Sequence, residues 1–395
     1  MATRFHDPMN SSPEHPSTAE KVERHRAFLE RRSVLRPLLG FIHGWEDISK
    51  YVRDTVQFYP AGPVTLQTFT AGRFGPMYAD YVKTISRSDD LFRTLEPLPF
   101  FPWAEAAIGC PITYTGKNFW SCPIEETKSD EGLKTWIADL RRGLASQSGA
   151  SDGSGFEAAA QAFAAREACA SWLTIYGALL NLLGEQFGSQ WPIGQSILRG
   201  PLDLAAAVLG EERMIYLFFD QPALMKELLE LATKVFLKFI ALHRHRGSSF
   251  RNGSVIGSYY LWVPGRCLRL QEDAMALLSP QVYREFIHPL DCHIASAADY
   301  TLFHLHSTGM HLLGSLLDNP GLQIIQVSKD EGVELGSILA GLKTIQAAKK
   351  CLVLKGRFNA EELRLAKSNL DYRGLCIQAV IRDQQEEDGV CSAFG

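Results

Sequence analysis

The sequence is short of the features that would assign it at sight. None of its eight cysteines forms a Cys-x-x-Cys pair, and at 395 residues the chain is too long to need disulfide staples. They read as the reduced thiols of a cytoplasmic protein. No continuous apolar run interrupts the first thirty residues, so no secretory signal is legible. Nowhere do the roughly 18 apolar residues of a membrane span follow one another, so no membrane partner is expected. Basic excess is missing too. The 40 Lys and Arg against 44 Asp and Glu give a formal charge of -4, leaving nucleic acid no electrostatic footprint. No Gly-x-Gly-x-x-Gly, P-loop or Gly-x-Ser-x-Gly stands in a usable context, which removes nucleotide-binding and serine-hydrolase readings. Internal repeats are absent as well.

What remains is an ordinary globular composition, 46% hydrophobic and 21% charged, with enough chain for a large core. Residues 1–17, rich in Pro, Ser, Asn and His, read as a flexible tail. Ser17 or Thr18 then caps a helix from Ala19 to about Arg32. Strand-like apolar runs follow at Pro37–His43, Pro192–Leu198, Val255–Trp262, Cys267–Leu270, Thr301–His306, Leu322–Val327, Cys351–Leu354 and Leu375–Ile381. Helical patterns separate several of them, at Pro222–His245, Pro280–Ala298, Met310–Leu317, Leu335–Lys349 and Ala360–Asn369. Eight strands alternating with helices predict an α/β fold, a (β/α)8 TIM-type barrel occupying residues 18–395 as one domain. Residues 45–190 are a long insertion or cap after the first strand. It holds the aromatic stretch 99–123, a flexible loop near 146–155 and a helix-prone run at 156–187.

The densest chemistry lies in 301-TLFHLHSTGMH-311. On a strand, Leu302, His304 and His306 share one face and Phe303 and Leu305 the other. Two imidazoles then look the same way at a strand's C-terminal end, where barrel enzymes place their sites. Such a pair chelates a divalent metal (zinc first, copper or iron also) or binds an anion as imidazolium. Spacing does not choose the third ligand. His311 is near in sequence, and Cys376 lies on the last strand. Other strand ends add Asp330, Lys355 and Arg357, charges suited to clamping a carboxylate or phosphate. In 271-QED-273, Glu272 or Asp273 could be an acid, a base or a ligand. His43 and Trp45 close the first strand, and Trp103 and Glu105 sit in the aromatic stretch. Each of these charges alone is equally a solvated loop or helix-end charge.

The run 200-GPLDLAAAVLGEERMIYLFFDQPALMKELLE-230 resembles the uroporphyrinogen decarboxylase superfamily, as do 273-DAMALLSPQVYREFIHPL-290 and 301-TLFHLHSTGMHLLGSLLDNPGLQIIQVSKD-330. That superfamily also holds corrinoid-linked methyltransferases and, more distantly, cobalamin-independent methionine synthase. The match is an ordered series: Gly-Pro after a strand, a Ser-Pro-x-x-Tyr/Phe-x-x-Phe helix, then a His-x-Cys-Gly strand end. It covers about residues 192–330. The resemblance implies a (β/α)8 barrel with its site at the C-terminal mouth. In the methyltransferase branch the His and Cys bind a zinc that activates a thiol. His304 matches that His, His306 stands at the Cys position, and Cys376 is the candidate for the branch's last Cys ligand. Decarboxylases of the family carry an Arg-rich stretch after the first strand, where this chain has 41-FIHGWED-47. That argues against porphyrinogen decarboxylation and for a small substrate in an aromatic mouth of Trp45, Trp103, Tyr259 and Trp262.

Three readings follow. The first is a metal-dependent, methyltransferase-like enzyme acting on a small molecule. In it His304 and His306 hold the metal, Asp273 or Glu105 is acid/base or a further ligand, and Lys355 or Arg357 fixes an anionic group. The second is a metal-free decarboxylase or lyase on a small carboxylic acid, with the histidines as proton donors. The third is a ligand-binding barrel without turnover. A homodimer is compatible with all three, and a corrinoid protein as partner is left open.

Overall fold

The computed structural model describes residues 16–43, 62–63, 75–84, 89–115, 119–146, 165–246 and 249–394. The predicted tail and the loop near 146–155 lie almost wholly outside these residues, as does Trp45.

The architecture is mixed α/β, built on a six-stranded parallel sheet. Its strands are β1 (Leu38–His43), β2 (Cys267–Gln271), β3 (Tyr300–His306), β4 (Leu322–Ser328), β5 (Cys351–Gly356) and β6 (Leu375–Ile381), in the spatial order β1-β6-β5-β4-β3-β2. These strands are nearly continuous apolar runs, as a sheet covered on both faces requires. Outward residues such as Phe303, Leu305, Ile325, Val327, Leu352, Leu354 and Ile377 pack into the main core with the surrounding helices. Inward residues at one end, Leu38, Cys267, Leu302, Ile324, Val353 and Cys376, form a second apolar cluster. Register aligns the next inward layer: Gln271 with His304, His304 with Gln326, and Lys355 with Gln378.

Two irregular segments extend the sheet at its edges. On the β1 side, Asp89 and Asp90 carboxylates accept from the Phe41 and Leu39 amides, each at 2.9 Å. Leu95 then bridges Ile193 in parallel. On the β2 side, the Gln195 side chain takes the place of a backbone partner for Arg269, accepting from its amide at 3.0 Å and donating to its carbonyl at 2.9 Å. Gly200 donates to the Gln271 carbonyl at 2.8 Å. The predicted strand Pro192–Leu198 is therefore present as an extended segment with a single bridge.

The run Val255–Trp262 is a correction. It is no strand of the parallel sheet but an antiparallel hairpin, Ser254–Ile256 against Leu261–Val263. Its tip, residues 257–260, is tucked against the inward face: the Tyr259 carbonyl accepts from Gln378 Nε2 at 2.6 Å. Ser258 and Tyr260 have φ of 61° and 59°, the left-handed region that side chains with a Cβ disfavour. The helix Thr18–Leu29 closes the same end, its Phe28 joining the inner apolar cluster. Ser17 and Glu20 cap it reciprocally, side chain to backbone in both directions.

The predicted helices are found at Pro222–Arg246, Leu335–Ala347 and Ala360–Asn369. The run from Pro280 contains one turn of π-helix, Tyr283–Ile287, before continuing as Ala-ended helix His288–Ala295. Met310 lies in a 3-10 turn, Ser307–Leu312, and only Leu313–Leu317 is α-helical. No helix among the described residues is long and apolar enough to cross a membrane.

Candidate metal centre

Strand β3 delivers His304 and His306 to one side, and the 3-10 turn after β2 delivers Asp273. One ligand atom from each of the three lies within 4.8 Å of the others. The imidazole Nε2 atoms are 3.1 Å apart, and Asp273 Oδ1 is 3.7 Å from His306 Nε2. Among the described residues this is the one His/Cys/Asp/Glu group with such geometry.

The other ring nitrogens are engaged. His306 Nδ1 donates to Asp330 Oδ1 at 2.6 Å, and Asp330 is pinned further by the Ser307 amide at 3.0 Å and by the Ser307 hydroxyl. His304 Nδ1 meets Gln326 Oε1 and, at 2.8 Å, the Tyr259 hydroxyl. Gln326 is oriented in turn, because its amide nitrogen donates to Ser328 Oγ at 3.1 Å. With Nδ1–H given to an acceptor, each Nε2 carries a lone pair, and the two lone pairs face one another. That arrangement is repulsive unless a cation lies between them. Two nitrogens about 2.0–2.1 Å from one tetrahedral ion would stand roughly 3.3 Å apart. The donor set fits a metal, and the carboxylate–His and amide–His pairs are the supports that metal-bound imidazoles use.

Electrostatics point the same way. Burial, then the charges of Arg269 and His306, holds His304 well below the ordinary imidazole range, so it is neutral and able to ligate. Partial burial pushes Asp330 up, but the hydrogen bonds from Ser307 and His306 outweigh it and keep its carboxyl below the usual range. Asp273 is positioned from two sides. Its amide donates to Asp203 Oδ2 at 2.9 Å, and its carboxylate accepts from Gln271, whose own oxygen accepts from Arg269.

The other predicted site residues fall differently. Cys376 sits deeper, fully buried in the inner apolar layer two residues before Gln378, and burial drives its thiol well up. It is outside the ligand group, and Asp273 stands where a third ligand was sought. His311 is engaged with the Leu278 and Thr308 carbonyls. Trp103 does not line a mouth. It is fully buried against Phe101, Trp172 and Tyr176, and its indole N–H donates to the Pro97 carbonyl at 2.7 Å. Trp262 is likewise core, bonded to the Phe250 carbonyl at 3.0 Å, with the Arg26 guanidinium over its ring. Glu105 is buried, 3.4 Å from Arg199, and burial raises its carboxyl. Arg357 is exposed, and nothing described brings it to the histidines. Lys355 is half-buried with its ammonium 5.4 Å from the centre of the Tyr259 ring, and Tyr259 reaches His304. His43 ends β1, and its side chain lies outside the described set.

Arg269, Gln271, Gln326 and Asp203 were not singled out by sequence. Three of them carry a signal: each is a polar residue at an inward position of a largely apolar strand.

Behind Asp273 lies a buried acid pair. Glu272 accepts from the Leu202 and Asp203 amides, both at 3.1 Å, while Asp291 accepts from Tyr283 Oη at 2.5 Å. Glu272 Oε1 and Asp291 Oδ1 have no other partner and are fully buried. Burial pushes Asp291 up to about 7. A carboxyl raised in the folded state keeps its proton where the unfolded chain has lost it. Its stabilising contribution is complete below about pH 4 and is lost as pH rises through about 7. Asp291→Asn, which needs no proton, should therefore be more stable than wild type at pH 8 by about 2 kcal/mol and flatten the decline between pH 4 and 7. Denaturant midpoints across that range measure it, and an unchanged slope would count against a protonated Asp291.

Neither a protein-family model nor a curated protein sequence matches the chain. Solved structures do match by fold. A methyltransferase from Methanosarcina mazei aligns with a TM-score of 0.56 at 14% identity, over 94% of this chain and 96% of that one. At that identity the likeness is one of fold.

Proposed function

We propose that the chain is a metal-dependent enzyme that moves a methyl or other one-carbon group to or from a small molecule. Its site is formed by His304, His306 and Asp273 at the mouth of an eight-stave (β/α)8 barrel. The observation that carries the reading is the 3.1 Å approach of two imidazole nitrogens whose opposite nitrogens are both engaged. The barrel reading is supported by the six parallel strands and by the segments around 89–96 and 192–200, which bond to the sheet's two edges and bridge to each other. The fold likeness to a methyltransferase supports the reaction class.

Zinc, when bound, would hold a substrate thiol as thiolate and so supply a nucleophile for the one-carbon group. The chain's own residues do the rest. Asp330 fixes the tautomer and angle of His306, and Gln326 does the same for His304. Gln271 turns the Asp273 carboxylate toward the histidines. Asp273 and His306 are each about two-fifths exposed, which leaves the ligand group open on one side, as a catalytic metal needs. The set of two nitrogens and one carboxylate is harder than one with thiolates, and it also accepts ferrous iron.

Elemental analysis of the purified full chain should find about one zinc or iron per molecule. Protein that carries no metal, and takes up none when offered zinc, would defeat the reading. The same nitrogen contact supports a second reading, in which the histidines share a proton and deliver it to the carbanion left by decarboxylation of a small acid. That reading requires turnover to survive a strong chelator.

A further inference from the structure

Arg269 lies on the inward face of β2, one layer below the ligand group, and is only 3% exposed. Its Nη2 donates to Gln271, while Nε and Nη1 have no partner and are fully buried. No salt bridge to it is formed by any described carboxylate. Leaving charged N–H groups buried and unpaired is costly. Lys355, inward on β5, adds a second cation: its ammonium and the Arg269 guanidinium lie 5.4 and 5.0 Å from the centre of the same Tyr259 ring. Each charge disfavours the other, and burial followed by Arg269 brings Lys355 down to about 8. The charge of Glu96 acts on both cations without bonding to either; its oxygens already accept from Thr94 Oγ at 2.7 Å and Ser258 Oγ at 3.0 Å, and burial raises its carboxyl. Two cations beside one phenol ring, neither in a salt bridge with a described carboxylate, offer charge to an anion. The Tyr259 hydroxyl also reaches His304, so the two cations adjoin the ligand group.

We propose that Arg269 and Lys355 bind the carboxylate of the small substrate whose other end reaches the metal centre. The proposal rests on the reading above for the reaction, but the anion site stands without it. A planar guanidinium with two free N–H groups suits two oxygens of one anion, and the Lys355 ammonium supplies a point charge to the same group.

Titration calorimetry with propionate, on the full chain before and after chelator treatment, tests it. Propionate should bind both forms, and Arg269→Met, which keeps the length and apolar body of the side chain, should weaken binding at least tenfold. Affinity equal to wild type in Arg269→Met overturns the assignment, and so does binding that disappears on chelation alone, because the anion then sits on the metal. If Arg269→Met does not fold, crystals of the wild type soaked in bromide decide the matter. An anomalous peak beside Arg269 Nη1 and Lys355 Nζ is expected, and its absence overturns the site. Failure of the metal reading shows separately, as protein without metal that still binds propionate.

Discussion

His306→Ala should leave the purified protein without its metal, while Asp330→Asn should keep the ion but bind it about 10–100-fold more weakly. The two variants separate a ligand from its support. His306 is about two-fifths exposed, so truncating it removes little packing and the fold should survive. What is lost is one of two facing nitrogens and, with it, chelation. Asp330→Asn is subtler. The amide retains an oxygen for the Ser307 donors or for His306 Nδ1, but it loses the charge that makes the ring a better donor to an ion. Competition against a chromophoric chelator measures both. Equal metal content in His306→Ala and wild type would refute a role for this pair, and unchanged affinity in Asp330→Asn would show that the carboxylate does not act through the imidazole.

How much of this could be read in the sequence depends on how local each signal is. His304 and His306 were legible because strand alternation alone puts i and i+2 on one face, and the apolar run 301–306 fixed the strand. All six strands of the sheet were legible for the same reason, each a largely apolar stretch set off from its neighbours. Arg269, Gln326 and Gln378 are inward polar residues on three different strands. Their placement relative to the histidines depends on register between strands, which no local pattern carries. The hairpin at 254–263 was read as a parallel strand because its tip hides its turn. Positive φ falls on Ser258 and Tyr260 rather than on Gly or Asn, so the usual hairpin signal is missing. The segment 192–200 pairs partly through the Gln195 side chain, a substitute for the backbone that composition cannot announce. Trp103 and Trp262 show the limit of aromatic content: a ring meant for a mouth and a ring meant for the core look alike until their N–H partners are known.

Gly257→Ala should be among the most damaging single changes outside the ligand group, lowering stability by about 3 kcal/mol. A Cβ at this position would stand 2.1 Å from the Gln195 carbonyl oxygen and 2.9 Å from Glu96 Oε1. The first obstacle is backbone, held in place by Gln195's own bonds to Arg269, so it cannot move aside cheaply. The hairpin tip must then withdraw. Ser258 loses its contacts with Glu96, and Tyr259 loses His304 and the two cations over its ring. Stability and site therefore fail together, and propionate affinity should drop along with the melting temperature. Gly184 supplies the contrast. It lies inside the helix Ala165–Phe187, and a Cβ there meets nothing within 4 Å. Gly184→Ala should stabilise by up to about 1 kcal/mol through helix propensity alone, leaving anion binding untouched. If both variants melted alike, the close seating of the hairpin tip against 192–200 would be wrong. Tyr259 would then no longer be fixed from below, and the link between the floor of the sheet and its histidines would have to be sought elsewhere.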